Sequence, residues 1–363
     1  MPNESKSSEL SDPIPQNGIP LHPKKIEWRE YKLGEVITLQ RGVDLPKGKM
    51  EKGSYPVAGS NGIIGYHNFY TTNGPGVTIG RSGNIGAVHF YKMDFWAHNT
   101  SLYVKDFKGN DEKYIYYFLK TIDFSQFNTG SAVPSLNRNH VHELDVRIPP
   151  LEEQKRIASI LSSLDDKIDL LRRQNATLEA MAETLFRHHF IENPNPEWKE
   201  GKLGDVVKIK YGKDHKKLLD GTVPVFGSGG LMRYVNVALS KTESVLIPRK
   251  GTLNNVMYVD EPFWTVDTMF YTEMMYPNIA KFVYLFVKEI DLAGMNVGSA
   301  VPSMTAEVLN NIPMVIPTQE AFDSFESVLS PLFEKMKTNR AQIQTLTRMR
   351  DRLLQKLMTN GVL

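Results

Sequence analysis

The sequence predicts an α+β fold: two pseudo-symmetric, strand-rich mixed α/β domains separated by two long antiparallel coiled-coil helices. Three observations predict it. The chain repeats itself at a nearly constant offset. Each copy opens on short apolar runs broken by Gly, Asn and Pro. Each copy closes on a long segment whose apolar residues recur at alternating steps of four and three.

The repeat comes first, because it sets the architecture before any local reading. Gly-Ser-Ala-Val-Pro-Ser stands at Gly130 and again at Gly298, 168 positions on. "EWREYKLGEV" from Glu27 returns as "EWKEGKLGDV" from Glu197, and "YPVAGSNG" from Tyr55 as "VPVFGSGG" from Val223. "DFWAHNTS" from Asp94 matches "PFWTVDTM" from Pro262, and "KYIYYFLKTID" from Lys113 matches "KFVYLFVKEID" from Lys281. The offset is 170 at the start and 168 after a two-residue shortening in the loop that follows Gly212. The expected layout is a Pro/Ser/Asn-rich disordered tail over 1–26, a domain over 27–150, a long helix over 151–192, a second domain over 197–317 and a second long helix over 318–360.

Within each domain, "YPVAGS", "GVTIGR", "AVHFY" and "TSLYV" read as strands joined by tight turns. "KYIYYFLKTI" has helical spacing and predicts one short helix.

The long segments read differently. Pro149 and Pro150 end an extended stretch, and Glu152 and Glu153 fall in a first turn where the helix dipole favours acids. Ile157, Leu161, Leu164, Ile168, Leu171, Asn175, Leu178, Ala182, Leu185 and His189 then form a heptad seam. The second copy gives Phe325, Leu329, Leu332, Met336, Asn339, Ile343, Leu346, Arg350, Leu353 and Leu357. Each seam runs 33 residues, about 50 Å at 1.5 Å per residue. Neither stripe is stable alone in water, so each helix needs a partner, and the economical one is its twin. A duplicated unit folding on itself sets the two antiparallel, with a domain at each end of a rod. The competing arrangement, each helix lying on its own domain, fits poorly with polar faces as charged as "LDDKIDLLRRQ". With full overlap Asn175 falls opposite Asn339. Pairing of the two amides is the expectation, since a buried amide without a partner costs about 1–3 kcal/mol.

Several functions are excluded. No Asn/Asp-Pro-Pro-aromatic tetrad of an amino-methyltransferase, no GxGxxG opening a helix and no HExxH occurs. "GVDLPKGKM" from Gly42 misses the phosphate-loop spacing. No Cys is present, which suits a reducing compartment. The sequence has no apolar leader and no run long enough to span a bilayer, and so reads as cytoplasmic with no membrane partner. Catalytic residues, metal and bound cofactor are all expected to be absent. The net charge of only +2 requires any nucleic-acid binding to come from local patches.

The stretch from "GSAVPSLNRN" through the Pro-Pro-Leu-Glu-Glu-Gln-Lys-Arg-Ile run at Pro149 resembles the region after a target-recognition domain in the DNA-specificity (S) subunits of type I restriction–modification systems. The resemblance covers both copies. It implies two target-recognition domains reading a bipartite sequence in double-stranded DNA, with the helices setting the half-site spacing. It implies two modification (methyltransferase) subunits as partners, with S-adenosylmethionine on those subunits, and restriction subunits that can join. The second copy departs from the pattern at its helix start, where Ala321 and Phe322 replace Glu-Gln.

The duplication also sorts candidate DNA contacts. Residues shared by both copies should build scaffold or hold phosphates, and unshared polar residues should read bases. Arg81 and Arg249 are shared, each two before a shared Gly. The unshared loop after the first strand carries Arg41, Lys47, Lys49 and Lys52 in one copy and Lys210, Lys213, His215, Lys216 and Lys217 in the other. Asn84, His98, Lys250 and Asn254 complete the set. Trp96 and Trp264 read as core rather than stacking platforms, since duplex DNA offers no free base faces. The alternative is a two-headed protein- or glycan-binding scaffold, against which the basic unshared loops argue.

Overall fold

A computed structural model describes residues 27–127, 135–295 and 303–359. The tail at 1–26, the helix stop at Asn360-Gly361, and the repeated hexapeptides apart from Ser135 and Ser303 lie outside the described residues. The chain divides into two compact units: residues up to Asp166 together with those from Thr347, and Lys167–Leu346.

Unit 1 contains β1 (Arg29–Lys32), α1 (Leu33–Val36), β2 (Thr38–Arg41), β3 (Tyr55–Gly59), β4 (Gly62–His67), β5 (Gly76–Gly80), β6 (Val88–Tyr91), β7 (Trp96–Ala97), β8 (Ser101–Asp106), α2 (Glu112–Leu119), α3 (Arg138–His142), β9 (Asp145–Ile148) and the first part of α4 (Leu151–Phe186). Its sheets are β2-β8-β5-β6, β4-β3-β7 and β1-β9. Unit 2 takes the rest of α4, then β10 (Lys199–Lys202), β11 (Val207–Tyr211), β12 (Asp220–Gly227), β13 (Gly230–Val235), β14 (Ser244–Pro248), β15 (Met257–Val259), β16 (Trp264–Thr265), β17 (Met269–Met274), α5 (Ala280–Lys288), α6 (Ala306–Asn310), β18 (Pro313–Ile316) and most of α7 (Gln319–Met358). Its sheets, β11-β17-β14-β15, β13-β12-β16 and β10-β18, repeat the first set strand for strand.

Local chemistry explains the elements. The central strands β5 and β14 are buried along their whole length. Asp111 caps α2 by accepting from Tyr114 N at 2.8 Å. Gln154, buried at the start of α4, donates to Pro149 O at 3.0 Å and to Asn110 Oδ1 at 2.8 Å and accepts from Asp111 N at 3.0 Å. It locks the helix start onto the turn before α2. Unit 2 places Phe322 at the equivalent position, buried against Phe282. Its helix starts on a different cap, Thr318, whose hydroxyl accepts from Ala321 N at 3.3 Å.

Each unit has one main core into which both long helices pack. Ile157, Ala158 and Leu161 of α4 and Leu354 and Met358 of α7 join Ile79, Leu102 and Phe118 in unit 1. Ala182 and Phe186 of α4 and Phe322, Phe325, Leu329, Phe333 and Met336 of α7 join Phe270 and Phe282 in unit 2. The helices therefore pack on domains as well as on each other. That broadens the buried face beyond a narrow heptad seam, and it draws in Phe322, Phe333, Leu354 and Met358, which the seam omits. The seam reaches its last member, where the His189 ring meets Phe325 edge-on at 6.2 Å. His189 is nonetheless exposed, because it lies in a π-helical turn at Arg187–Glu192 that follows α4.

The helices run antiparallel within unit 2. Asn175 meets Asn339, and further along α4 the Phe186 ring meets Phe325, earlier in α7, at 6.3 Å. Asn339, fully buried, donates to Asn175 Oδ1 at 2.9 Å, and Asn175 Nδ2 reaches Met336 O at 3.3 Å. In unit 1 the seam position Arg350 pairs with Asp165 at 2.7 Å, and Tyr117 Oη donates to the same carboxylate at 2.7 Å.

Candidate nucleic-acid interface

Each four-stranded sheet ends at a cluster of polar side chains. The chain reaches it through a forced close approach. Gly42 follows β2, and a Cβ there would lie 2.2 Å from the His98 carbonyl oxygen. At Gly212, after β11, the same atom would lie 2.0 Å from the Val266 oxygen. Only glycine lets the loop leave the sheet here. The loop is then tied by the shared tryptophan. Trp96 Nε1 donates to Val43 O at 3.1 Å, and Trp264 Nε1 to Lys213 O at 2.9 Å. The indole N–H groups are committed to the loop, which makes these rings anchors rather than free platforms.

The shared arginines sit beside these loops in matching geometry. Arg81 N donates to Thr100 O at 2.8 Å, and Arg249 N to Thr268 O at 2.8 Å. The Arg81 guanidinium reaches Asn99 O at 3.5 Å, and that of Arg249 reaches Asp267 O at 3.4 Å. Two residues on, Gly83 and Gly251 have φ of 82° and 85°. Their Cα faces turn toward the hairpin serines, so that an added Cβ would meet Ser60 Oγ at 3.4 Å and Ser228 Oγ at 2.6 Å. A shared serine and a shared arginine thus flank each turn.

The structure divides the remaining candidates. Arg41, Lys47, Lys49, Lys52, Asn84, Lys213, Lys216, Lys217 and Lys250 are exposed. His98 is half-buried, with Nδ1 2.9 Å from Thr100 Oγ1. Lys210 pairs across β11 and β17 with Glu273 at 3.7 Å. His215 is half-buried, with a buried Nδ1 that meets no partner. Asn254 does not fit a base-reading role. Its Nδ2 donates to Asp291 Oδ1 at 3.0 Å and its Oδ1 accepts from Ala293 N at 2.9 Å, which closes a loop and occupies the amide. That same bond, ahead of the Gly294 amide, holds the Asp291 carboxyl below its ordinary range.

One residue escaped sequence reasoning. Tyr211 is the counterpart of Arg41 at the offset of 170, and its ring lies 5.5 Å from the Arg249 guanidinium. The offset was enough to find it, but a search for basic residues passes over a tyrosine. Among the described residues no group of His, Asp and Glu could hold a metal ion, and no helix is long and apolar enough to cross a membrane.

Comparison with known proteins gives a consistent picture. A family model of the type I restriction modification DNA specificity domain matches residues 25–180 and again residues 195–348. The specificity subunit of the type I restriction enzyme MjaIX from Methanocaldococcus jannaschii is 26% identical over 302 residues, covering 69% of each chain. A putative type I specificity subunit of Mycoplasma genitalium is 23% identical over 367 residues, covering 92% of this chain and 94% of its own. The crystal structure of a type I restriction–modification S subunit from M. genitalium shares the fold, with a TM-score of 0.64 at 19% identity over 92% of this chain and 97% of that one.

Proposed function

The chain belongs to the type I restriction–modification DNA specificity family, and from that premise we propose that its two units read the two halves of a bipartite DNA target. One observation carries the proposal. The same loop, anchor tryptophan and pinned arginine are built on the same sheet edge in each unit, while the loop residues differ between them. Two half-sites of different sequence call for that combination. Shared Arg81 and Arg249 hold phosphates and fix register, and Lys47, Lys49 and Lys52, against Lys213, Lys216 and Lys217, enter the groove, where Lys suits guanine edges.

The helices set the spacing. α4 is 36 residues long, about 54 Å at 1.5 Å per residue, against about 34–36 Å for one turn of DNA. The Asn175–Asn339 pair fixes their register. The chain does no chemistry. Two methyltransferase subunits, carrying S-adenosylmethionine, dock on it and close around the duplex, and restriction subunits join them. With a net charge of +2, much of the affinity comes from those partners.

Exchange of residues 41–53 for the loop of a relative tests the reading. Mapping methylated adenines in the host genome should show one half-site changed and the other intact. Both half-sites unchanged, or both lost together, would contradict separate reading by separate units. Arg81→Ala should weaken binding to all sequences alike.

A further inference from the structure

The two sheet edges differ at one position in a way that changes their charge. Arg41 and Tyr211 are equivalent. Each is the last residue of its strand, and each precedes the close-packed glycine. Arg41 stands in register with Leu102, which pairs with Ile79, and Tyr211 with Phe270, which pairs with Ile247. Residues directly opposite in a sheet share a face, and so do residues two apart in a strand. Arg81 and Arg249 follow directly on the ends of β5 and β14, two past Ile79 and Ile247, so each shared arginine leaves its strand at the end where position 41 or 211 lies.

In unit 2 that neighbour is a ring. Tyr211 packs edge-on against Phe270 at 5.0 Å and lies under the Arg249 guanidinium. In unit 1 it is a second guanidinium. Burial disfavours the charge on Arg81, and the charge of Arg41 disfavours it further. Among the described residues no carboxylate forms an ion pair with either arginine. Two like charges brought together without a counter-charge repel, and an anion seated between them removes that cost.

We propose that Arg41 and Arg81 form a two-guanidinium cradle for one backbone phosphate of the target DNA, and that unit 2 has no counterpart to it. The inference rests on the DNA-recognition reading above and adds an asymmetry: unit 1 makes one more phosphate contact at this edge. Arginine suits the task because its planar fork binds phosphate oxygens in pairs.

The test uses the full chain in complex with the methyltransferase subunit and a labelled random-sequence duplex. Affinity is followed against salt, and bound sequences are recovered and read. For Arg41→Tyr the log–log salt slope should fall by about 0.9, the loss of one phosphate contact, with the enriched sequence unchanged. Arg41→Lys should keep most of the slope and lose affinity. An unchanged slope in Arg41→Tyr would overturn the cradle, and so would a changed base preference at one half-site, which would make Arg41 a base reader. Arg41 is exposed, so folding of the variant is not at issue, and its melting temperature checks this. If the unaltered complex enriched no sequence, the recognition reading would fail together with the cradle.

Discussion

The two units share every strand pairing and yet fill matching positions against the long helices with different chemistry. In unit 1, Tyr117, Asp165 and Arg350 form a polar triad between α2, α4 and α7. At the equivalent positions unit 2 has Leu285, Phe333 and Ala182, all buried in its core. Gln154 and its three hydrogen bonds in unit 1 have Phe322 as their equivalent in unit 2, and Leu354 and Met358 have Phe186 and Phe190. At these positions one backbone thus accepts a hydrogen-bonded solution and an apolar one, while unit 2 places its polar contacts to the helices elsewhere, at Tyr284–Glu179 and Lys281–Glu326. The fold asks for filled volume and satisfied polar groups at these places, and the identity of the side chain is free so long as its neighbours change with it.

Three substitutions put the contrast between the units to the test. The largest effect should come from Phe186→Ala, which empties the centre of the aromatic cluster formed with Phe190, Phe282 and Phe325. A loss of about 3–5 kcal/mol is expected, confined to unit 2. Calorimetry and hydrogen exchange would show whether unit 1 is spared. Arg350→Ala should cost about 1.5–3 kcal/mol in unit 1, because it strips a half-buried Asp165 of its charged partner. The triple change to Leu, Phe and Ala at 117, 165 and 350 copies unit 2 and should recover most of that loss. If it proves no better than the single variant, the two solutions are not interchangeable. The smallest effect is expected at Asn175→Leu, about 1–2 kcal/mol, because it leaves the buried Asn339 amide only the longer contact to Gln174 Oε1 at 3.4 Å. Adding Asn339→Leu should restore stability, and a double-mutant cycle would measure the coupling.

Much of this was legible in the sequence, for physical reasons. A duplication preserves spacing, so the offset alone exposed the paired units, and the heptad count placed Asn175 opposite Asn339. The strands and α2 announced themselves by apolar runs between turn residues. Periodicity, however, reports only the contact that repeats. It showed the helix–helix seam and missed the extra faces of Phe322, Phe333, Leu354 and Met358, which pack into the domain cores rather than along the partner helix. Charge counting found the basic loops but could not see that the Asn254 amide is spent on Asp291 and Ala293. Nor did it mark Tyr211, whose part depends on a neighbour 38 residues on.

The division of the long helices between units has a consequence for synthesis. Unit 2 is one unbroken stretch, Lys167–Leu346, whereas unit 1 needs Leu354 and Met358 to complete its interior. As the polypeptide leaves the ribosome, the first-made half therefore waits with an open apolar flank. The later-made half can close before it, and the earlier one is sealed last.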